Sequence, residues 1–201
     1  CDFTSFLTTD GNIYFCGSNA FGQLGFTELT SINSTPILNK ELQSIFDIAC
    51  GKSHTLVLTI EGEVYSFGLN DRYQLGTEYP PKKGIQRVPI DNKSPIISVA
   101  AGDYHSFAIE ASGDFWIFGY NNAKQLGGGD SLIKVPSLSK QYPFTTSKIV
   151  CGPSSSIVQG EKGLCIYGEI GHAKYMNVFL RQYPHIVQSN LQSKQKSARF
   201  K

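Results

Sequence analysis

Two histidines, His54 and His105, stand 51 residues apart in the same local frame, Gly-x-x-His followed by an apolar run. An imidazole titrates near neutral pH and serves as a general base when a nucleophile and an orienting carboxylate lie within reach. No Ser/His/Asp order and no paired carboxylates stand in a recognisable nucleophile context. One histidine per repeat instead predicts a hydrogen-bonding side chain that ties strands together. His172 and His185 have no Cys or carboxylate at metal-ligand spacing. The run Gly127-Gly128-Gly129-Asp130 fits neither phosphate-binding glycine motif and reads as a turn. No catalytic residue, metal ligand or cofactor is assigned.

Five cysteines, Cys1, Cys16, Cys50, Cys151 and Cys165, are an odd number without C-x-x-C spacing, which points away from a disulfide framework and a zinc site. They read as reduced, small apolar groups, and Ala101 occupies the repeat position of Cys50 and Cys151. Reduced thiols predict an intracellular home, cytoplasmic or alternatively nuclear. The formal net charge of +2 gives no general case for nucleic acid, so none is expected as a partner. All 16 acidic residues lie within 1–169, whereas 170–201 hold Lys174, Arg181, Lys194, Lys196, Arg199 and Lys201 with no acid. That tail is the one feature suited to chromatin, and its spaced charges read first as a solvated edge. No apolar run is long enough to span a bilayer. Cys1 opens the chain and Met176 is its only methionine, so a longer polypeptide is expected.

The most individual segment is 77–95, with Pro80-Pro81-Lys82-Lys83 and then Arg87. Lys82, Lys83 and Arg87 are the candidate partner-binding residues, on a loop that protrudes from a rigid scaffold.

The scaffold is legible as a repeat. Gly17-Ser18-Asn19 to Gln23-Leu24-Gly25 recurs at Gly68 to Gly76 and at Gly119 to Gly127, each displaced by 51 residues. A period of this size marks a small sheet that must stack on copies of itself, as in a propeller. Asp10-Gly11, Glu61-Gly62, Ser112-Gly113 and Lys162-Gly163 predict two-residue hairpin turns. The strand before each turn, exemplified by 55–60, is apolar on both faces. The strand after it carries Tyr14, Tyr65 or Trp116. Prolines at Pro36, Pro89 and Pro136 mark outer edge strands. Short apolar strands at 45–50, 96–101 and 148–151 lead into the next unit. The units are 1–50 (lacking its first strand), 51–101, 102–151 and a degraded 152–201, where Pro184-His185-Ile186-Val187 is assigned to the outer strand. The fold expected is all-β, a propeller of four-stranded blades with about four present.

The pattern Ala-Cys-Gly-x-x-His-Thr-x-x-Leu-Thr-x-x-Gly-x-Val-Tyr-x-x-Gly-x-Asn-x-x-x-Gln-Leu-Gly, over 49–76, closely resembles the repeat of the regulator of chromosome condensation family. Gly17, Gly68, Gly119, Gly25, Gly76, Gly127, His54 and His105 are its structural repeat positions. The residue before Gln-Leu-Gly departs from the family's glycine twice, at Tyr73 and Lys124. The resemblance implies an arc of a seven-bladed ring whose remaining blades a longer chain supplies. It also implies a choice of functions. A noncatalytic protein-interaction platform is expected first, guanine-nucleotide exchange on a Ran-like small GTPase second, and chromatin association through the basic tail third.

Overall fold

In the computed structural model, residues 2–27, 32–77, 84–139, 145–161, 163–170 and 173–181 are described. Every element among them is a strand, in four antiparallel sheets. The first holds β1 (Phe3–Leu7), β2 (Ile13–Ser18) and β3 (Ile32–Leu38). The second holds β4 (Ile45–Cys50), β5 (His54–Thr59), β6 (Val64–Gly68) and β7 (Gln86–Arg87). The third holds β8 (Ile96–Ala101), β9 (His105–Glu110), β10 (Phe115–Tyr120) and β11 (Leu132–Ser139). The fourth holds β12 (Thr146–Cys151), β13 (Ser155–Gly160), β14 (Gly163–Ile170) and β15 (Ala173–Arg181).

The sheets are offset from the sequence units that break at 50, 101 and 151. The short apolar strand closing each unit is the first strand of the following sheet, paired to β5, β9 or β13. A repeat has no intrinsic starting point, so its motif boundary need not match a sheet boundary. The outer strand of the fourth sheet among the described residues is β15, and 184–187 lies outside them. With no Gln-Leu-Gly turn to span, the chain pairs Ile170 with Ala173 and returns at once along β14.

Strand alternation creates the core. All of β5 and all of β9 are buried, because the second and third sheets, to which they belong, are covered on both faces. Phe15 and Val57 lie in one inter-sheet cluster, Leu58 and Phe118 in the next, and Phe107 and Val158 in the third. Burying one such side chain contributes about 2 kcal/mol. Ile60 was expected within the strand but begins the turn and is 66% exposed.

The first three hairpin loops contain three residues rather than two. Thr8 N–H bonds Asn12 O and Gly11 N–H bonds Thr8 O, and the pattern repeats at Thr59/Glu63 and Glu110/Asp114. A type I turn would splay the strands, and a left-handed residue after it restores their twist. Only the fourth hairpin, where Gly160 pairs with Gly163, closes with two.

A polar stitch fixes the second sheet against the third. Asp47 Oδ2 accepts from Ser98 Oγ at 2.8 Å and Val99 N–H at 3.0 Å.

Gly68 occupies φ +108, and a Cβ there would lie 2.5 Å from Ser53 O and 2.8 Å from His54 Cα. Gly129 also has positive φ, at +90, but has open space around it. Gly68→Ala therefore combines backbone strain with a clash and is expected to cost roughly 3 kcal/mol or more. Gly129→Ala carries the strain alone, about 1–2 kcal/mol. Urea unfolding of the two variants checks the difference, and equal losses would remove the clash from the account.

Candidate interaction face

The end of the sheets where β4 passes to β5 and β6 to β7 carries the Gln-Leu-Gly turns, and three of these are nearly superimposable in their bonding. Leu24, Leu75 and Leu126 N–H donate to Asn19, Asn70 and Asn121 Oδ1 at 2.9, 3.0 and 2.8 Å. Gln23, Gln74 and Gln125 Oε1 accept from the backbone N–H of Phe21, Arg72 and Ala123 at 2.9, 2.8 and 3.0 Å. Gly22, Tyr73 and Lys124 take φ of 80, 60 and 61°. The non-glycine residues thus adopt the same left-handed conformation, and the surrounding bonds offset a strain of about 1 kcal/mol each. The Gly127–Asp130 run is held by its carbonyls, with Asn121 Nδ2 donating to Gly128 O and Asp130 O and Lys124 Nζ to Gly129 O.

His54 and His105 lie beneath this end and are completely buried. His54 Nε2 reaches Ser106 Oγ, and His105 Nε2 reaches Ser156 Oγ, both at 3.0 Å and both across a sheet boundary. Ser106 Oγ donates to Gln74 O at 2.7 Å, so it accepts from His54 Nε2–H, and burial keeps that imidazole neutral. Burial pushes His54 down to about 3, with His105 a lesser cause, and His105 down to about 4, with the Ser155 backbone opposing. A Cβ at Gly51 or Gly102 would run into the following histidine ring. This explains Gly-x-x-His as a spatial requirement of one inter-sheet bond.

Above the stitch runs a strip of aromatic and cationic side chains. Lys52 Nζ lies 5.5 Å from the Tyr104 ring centroid, and Arg72 Cζ lies 5.4 Å from that of Tyr120. Tyr104 and Tyr120 meet edge to face at 6.5 Å, and Lys134 Nζ sits 5.5 Å over Tyr73. Contacts of this kind contribute about 0.5–1 kcal/mol when exposed. Hydrogen bonding to Tyr104 and its charge raise the Lys52 pKa. Among the described residues no cluster of three His, Cys, Asp or Glu side chains suits a metal ion.

The regulator of chromosome condensation (RCC1) repeat matches residues 10–58 and 61–109, and a second description of the same repeat matches 47–74 and 96–125. The chain belongs to the RCC1-repeat family. A probable E3 ubiquitin-protein ligase HERC6 from Homo sapiens is 37% identical over 120 residues, covering 58% of this chain and 12% of that protein. A protein RCC2 homolog from Danio rerio is 34% identical over 125 residues, covering 60% of this chain and 25% of the relative. The chain thus spans a quarter or less of the length of these curated relatives. Solved Prp20p from Saccharomyces cerevisiae superposes with a TM-score of 0.76 at 20% identity, over 93% of this chain and 50% of that one. Human WBSCR16 superposes at 0.75 with 21% identity, over 90% and 51%. These structures establish the fold as an arc of an RCC1-type β-propeller.

Within the RCC1 frame the site residues separate into two groups. The repeat glycines and histidines form the turns and stitches, whereas Lys52, Arg72, Tyr73, Tyr104, Tyr120 and Lys134 stand at positions that differ from copy to copy. Lys52 is replaced by Asp103 and Pro153, and Tyr120 by Ser18 and Leu69. That variation was the signal sequence reasoning passed over. Lys82 and Lys83 lie outside the described residues. Arg87 is on the outer edge strand, where Nε pairs with Glu63 Oε1 at 3.0 Å, and Tyr65 OH donates to the other oxygen of that carboxylate. No helix among the described residues is long and apolar enough to cross a membrane.

The buried histidines set a pH dependence of stability. Their folded pKa values lie below the unfolded value near 6.5, so the unfolded chain binds more protons between pH 6.5 and about 4. Stability is complete above pH 6.5 and falls as acid is added, by on the order of 1 kcal/mol per pH unit for each histidine. Urea unfolding between pH 6.5 and 5 should show this slope, and His54→Gln/His105→Gln should flatten it. An unchanged slope in the double variant would assign the effect elsewhere.

Proposed function

We propose that the chain is a noncatalytic protein-interaction platform, with the turn-side strip as its contact face, within a longer intracellular polypeptide that works in the cytoplasm or nucleus. The observation that carries this reading is the contrast between the two ends of His54. Its imidazole is locked neutral in a dry interface, while the varied Lys52, Tyr104, Tyr120 and Arg72 side chains are displayed directly above. Aromatic and arginine side chains held by a rigid scaffold are the usual anchors of protein interfaces. The ligase designation belongs to HERC6, of which this chain covers 12%. Lys82, Lys83 and Arg87 are proposed as a flanking contact.

A second reading is favoured by the superposition on Prp20p, whose crystal structure was presented with its binding properties to Gsp1p and histones. Exchange on a Ran-like small GTPase needs no catalytic side chain, only a surface that binds the nucleotide-free state preferentially. Histone binding by that neighbour keeps chromatin association as a third reading, through the basic tail.

Two measurements separate the readings. The immobilised chain and its Arg72→Ala/Tyr120→Ala variant, both confirmed folded, are compared for proteins captured from cell lysate. The platform reading expects a reproducible partner set that the variant loses at least tenfold, and equal capture would move the contact off this strip. Fluorescent GDP release from a Ran-like GTPase and a panel of other small GTPases is expected to stay at its intrinsic rate. Acceleration at substoichiometric chain would make the protein an exchange factor.

A further inference from the structure

Glu110 ends β9 at the hairpin end of the third sheet and is 2% exposed. Among the described residues it forms no ion pair. Hydrogen-bond donors without charge satisfy it instead. Its Oε1 accepts from Trp116 Nε1 at 2.8 Å, and its Oε2 accepts from Ser94 N–H at 3.3 Å, Ser94 Oγ at 3.2 Å and Ser112 Oγ at 3.2 Å. Ser94 Oγ in turn accepts from Ser112 N–H at 3.1 Å. Both oxygens of Glu110 act as acceptors only, as a carboxylate does. A buried carboxylate held by neutral donors has no means of compensating a second negative charge beside it.

Ser94 reaches this carboxylate from a surface segment. It lies between β7 and β8, with exposed Asp91, Asn92 and Lys93 before it and exposed Pro95 after it. The flanks are anchored at Val88, 2% exposed, and Ile96, 4% exposed. Proline biases the residue before it toward extended backbone. A serine followed directly by proline, in a segment outside the sheets, meets the basic requirement of a proline-directed protein kinase. The other Ser/Thr-Pro pair of the chain, Thr35-Pro36, lies inside β3, which is paired along β2.

We propose that Ser94 is a phosphorylation site for a proline-directed Ser/Thr kinase, and that its modification unfastens the 91–95 segment from Glu110. Ser94 Oγ bonds to the γ-phosphorus of ATP while the bond from that phosphorus to the β-phosphate oxygen breaks, so ADP leaves and the hydroxyl proton passes to the kinase. The product carries nearly two negative charges where a hydroxyl had donated to Glu110 Oε2. The donor is lost and the two anions repel. Lys93, adjacent in the chain, is exposed, so its attraction also favours an outward phosphate. Glu110 then keeps its bonds to Trp116 and Ser112 alone. The closed contact shields the hydroxyl, so the kinase acts on the transiently opened segment and the phosphate holds it open. This site is at the hairpin end, opposite the turn-side strip, and the inference stands whether or not that strip binds a partner.

Trp116 is the only tryptophan in the chain and bonds the same carboxylate, so its emission reports the change. The folded full chain is treated with ATP and a purified cyclin-dependent or mitogen-activated protein kinase, and phosphate is located by peptide mass spectrometry. One phosphate on Ser94 is expected, at a rate at least tenfold lower in Pro95→Ala. Acrylamide quenching of Trp116 should rise twofold or more in the phosphorylated chain, remain unchanged in kinase-treated Ser94→Ala, and return to its starting value after phosphatase treatment. Phosphate on Thr35 in place of Ser94, or modification of a peptide spanning 88–100 but not of the folded chain, would overturn the proposal. So would unchanged quenching at full Ser94 occupancy, or a rise that phosphatase leaves in place, which would mark loss of the fold rather than release of the segment.

Discussion

A sheet that is apolar on both faces has no stable isolated form, and every other feature of this protein follows from that constraint. Val57 and Leu58 are adjacent in one strand and both fully buried, yet they face opposite neighbours. The hydrophobic stabilisation of each sheet therefore resides in the interfaces it makes with its neighbours, two for an inner sheet, rather than within it. Stability in such an array is approximately a sum of nearest-neighbour terms. The three inter-sheet clusters among the described residues are these terms, and no single central core joins them there.

Apolar packing alone is weakly directional. A sheet face lined with Phe and Val would accept several registers of a similar face at comparable energy. The neutral hydrogen bonds resolve the ambiguity, because a misplaced neighbour would leave a buried imidazole or hydroxyl without its partner, at about 1–3 kcal/mol per group. Asp47 on Ser98 and Val99 supplies a second constraint at the same boundary. Neutral groups suit this purpose better than an ion pair, whose desolvation in so dry an interface would exceed its attraction. At the first boundary Phe3 occupies the histidine position and packs in the apolar cluster, while Ser5 Oγ approaches Cys50 Sγ at 3.1 Å. Register can evidently be set by more than one polar contact, provided one is present.

Repetition made the architecture legible and, for the same reason, concealed the interaction face. A motif recurring at 51 residues exposes its requirements, namely glycine where a backbone or ring crowds it and histidine where a neighbour offers a hydroxyl. Strand identity, the double-sided burial of β5 and the outer strands of the first and third sheets could be read from alternation and proline, whereas in the second sheet Pro89 falls past β7 and the fourth sheet's outer strand holds no proline. The sheet boundaries could not, since periodicity is indifferent to where a unit begins. The three-residue hairpins eluded a dipeptide rule because the extra residue belongs to the strand by composition, as Ile60 does. Positive φ at Tyr73 and Lys124 was hidden because side-chain propensity favours another conformation, and tertiary bonding overrides it. The strip of Lys52, Tyr104, Tyr120 and Arg72 joins residues from separate turns, and no local spacing in the chain brings them together.

The division of labour between repeated and unrepeated residues explains how such a scaffold diversifies. A substitution at a stitch is felt by two sheets, because His54 belongs to one sheet and Ser106 to the next. A substitution in the strip changes only what the turn-side end displays, since the Asn and Gln bonds beneath hold the backbone whichever side chain follows. Arg72 donates its backbone N–H to Gln74 Oε1, and Ala123 does the same to Gln125 Oε1 at the equivalent place. One turn thus presents a cation and the other a methyl group from the same geometry. Changing the displayed side chain carries little structural cost, whereas changing the carbonyl, hydroxyl or imidazole below would unseat a neighbouring sheet.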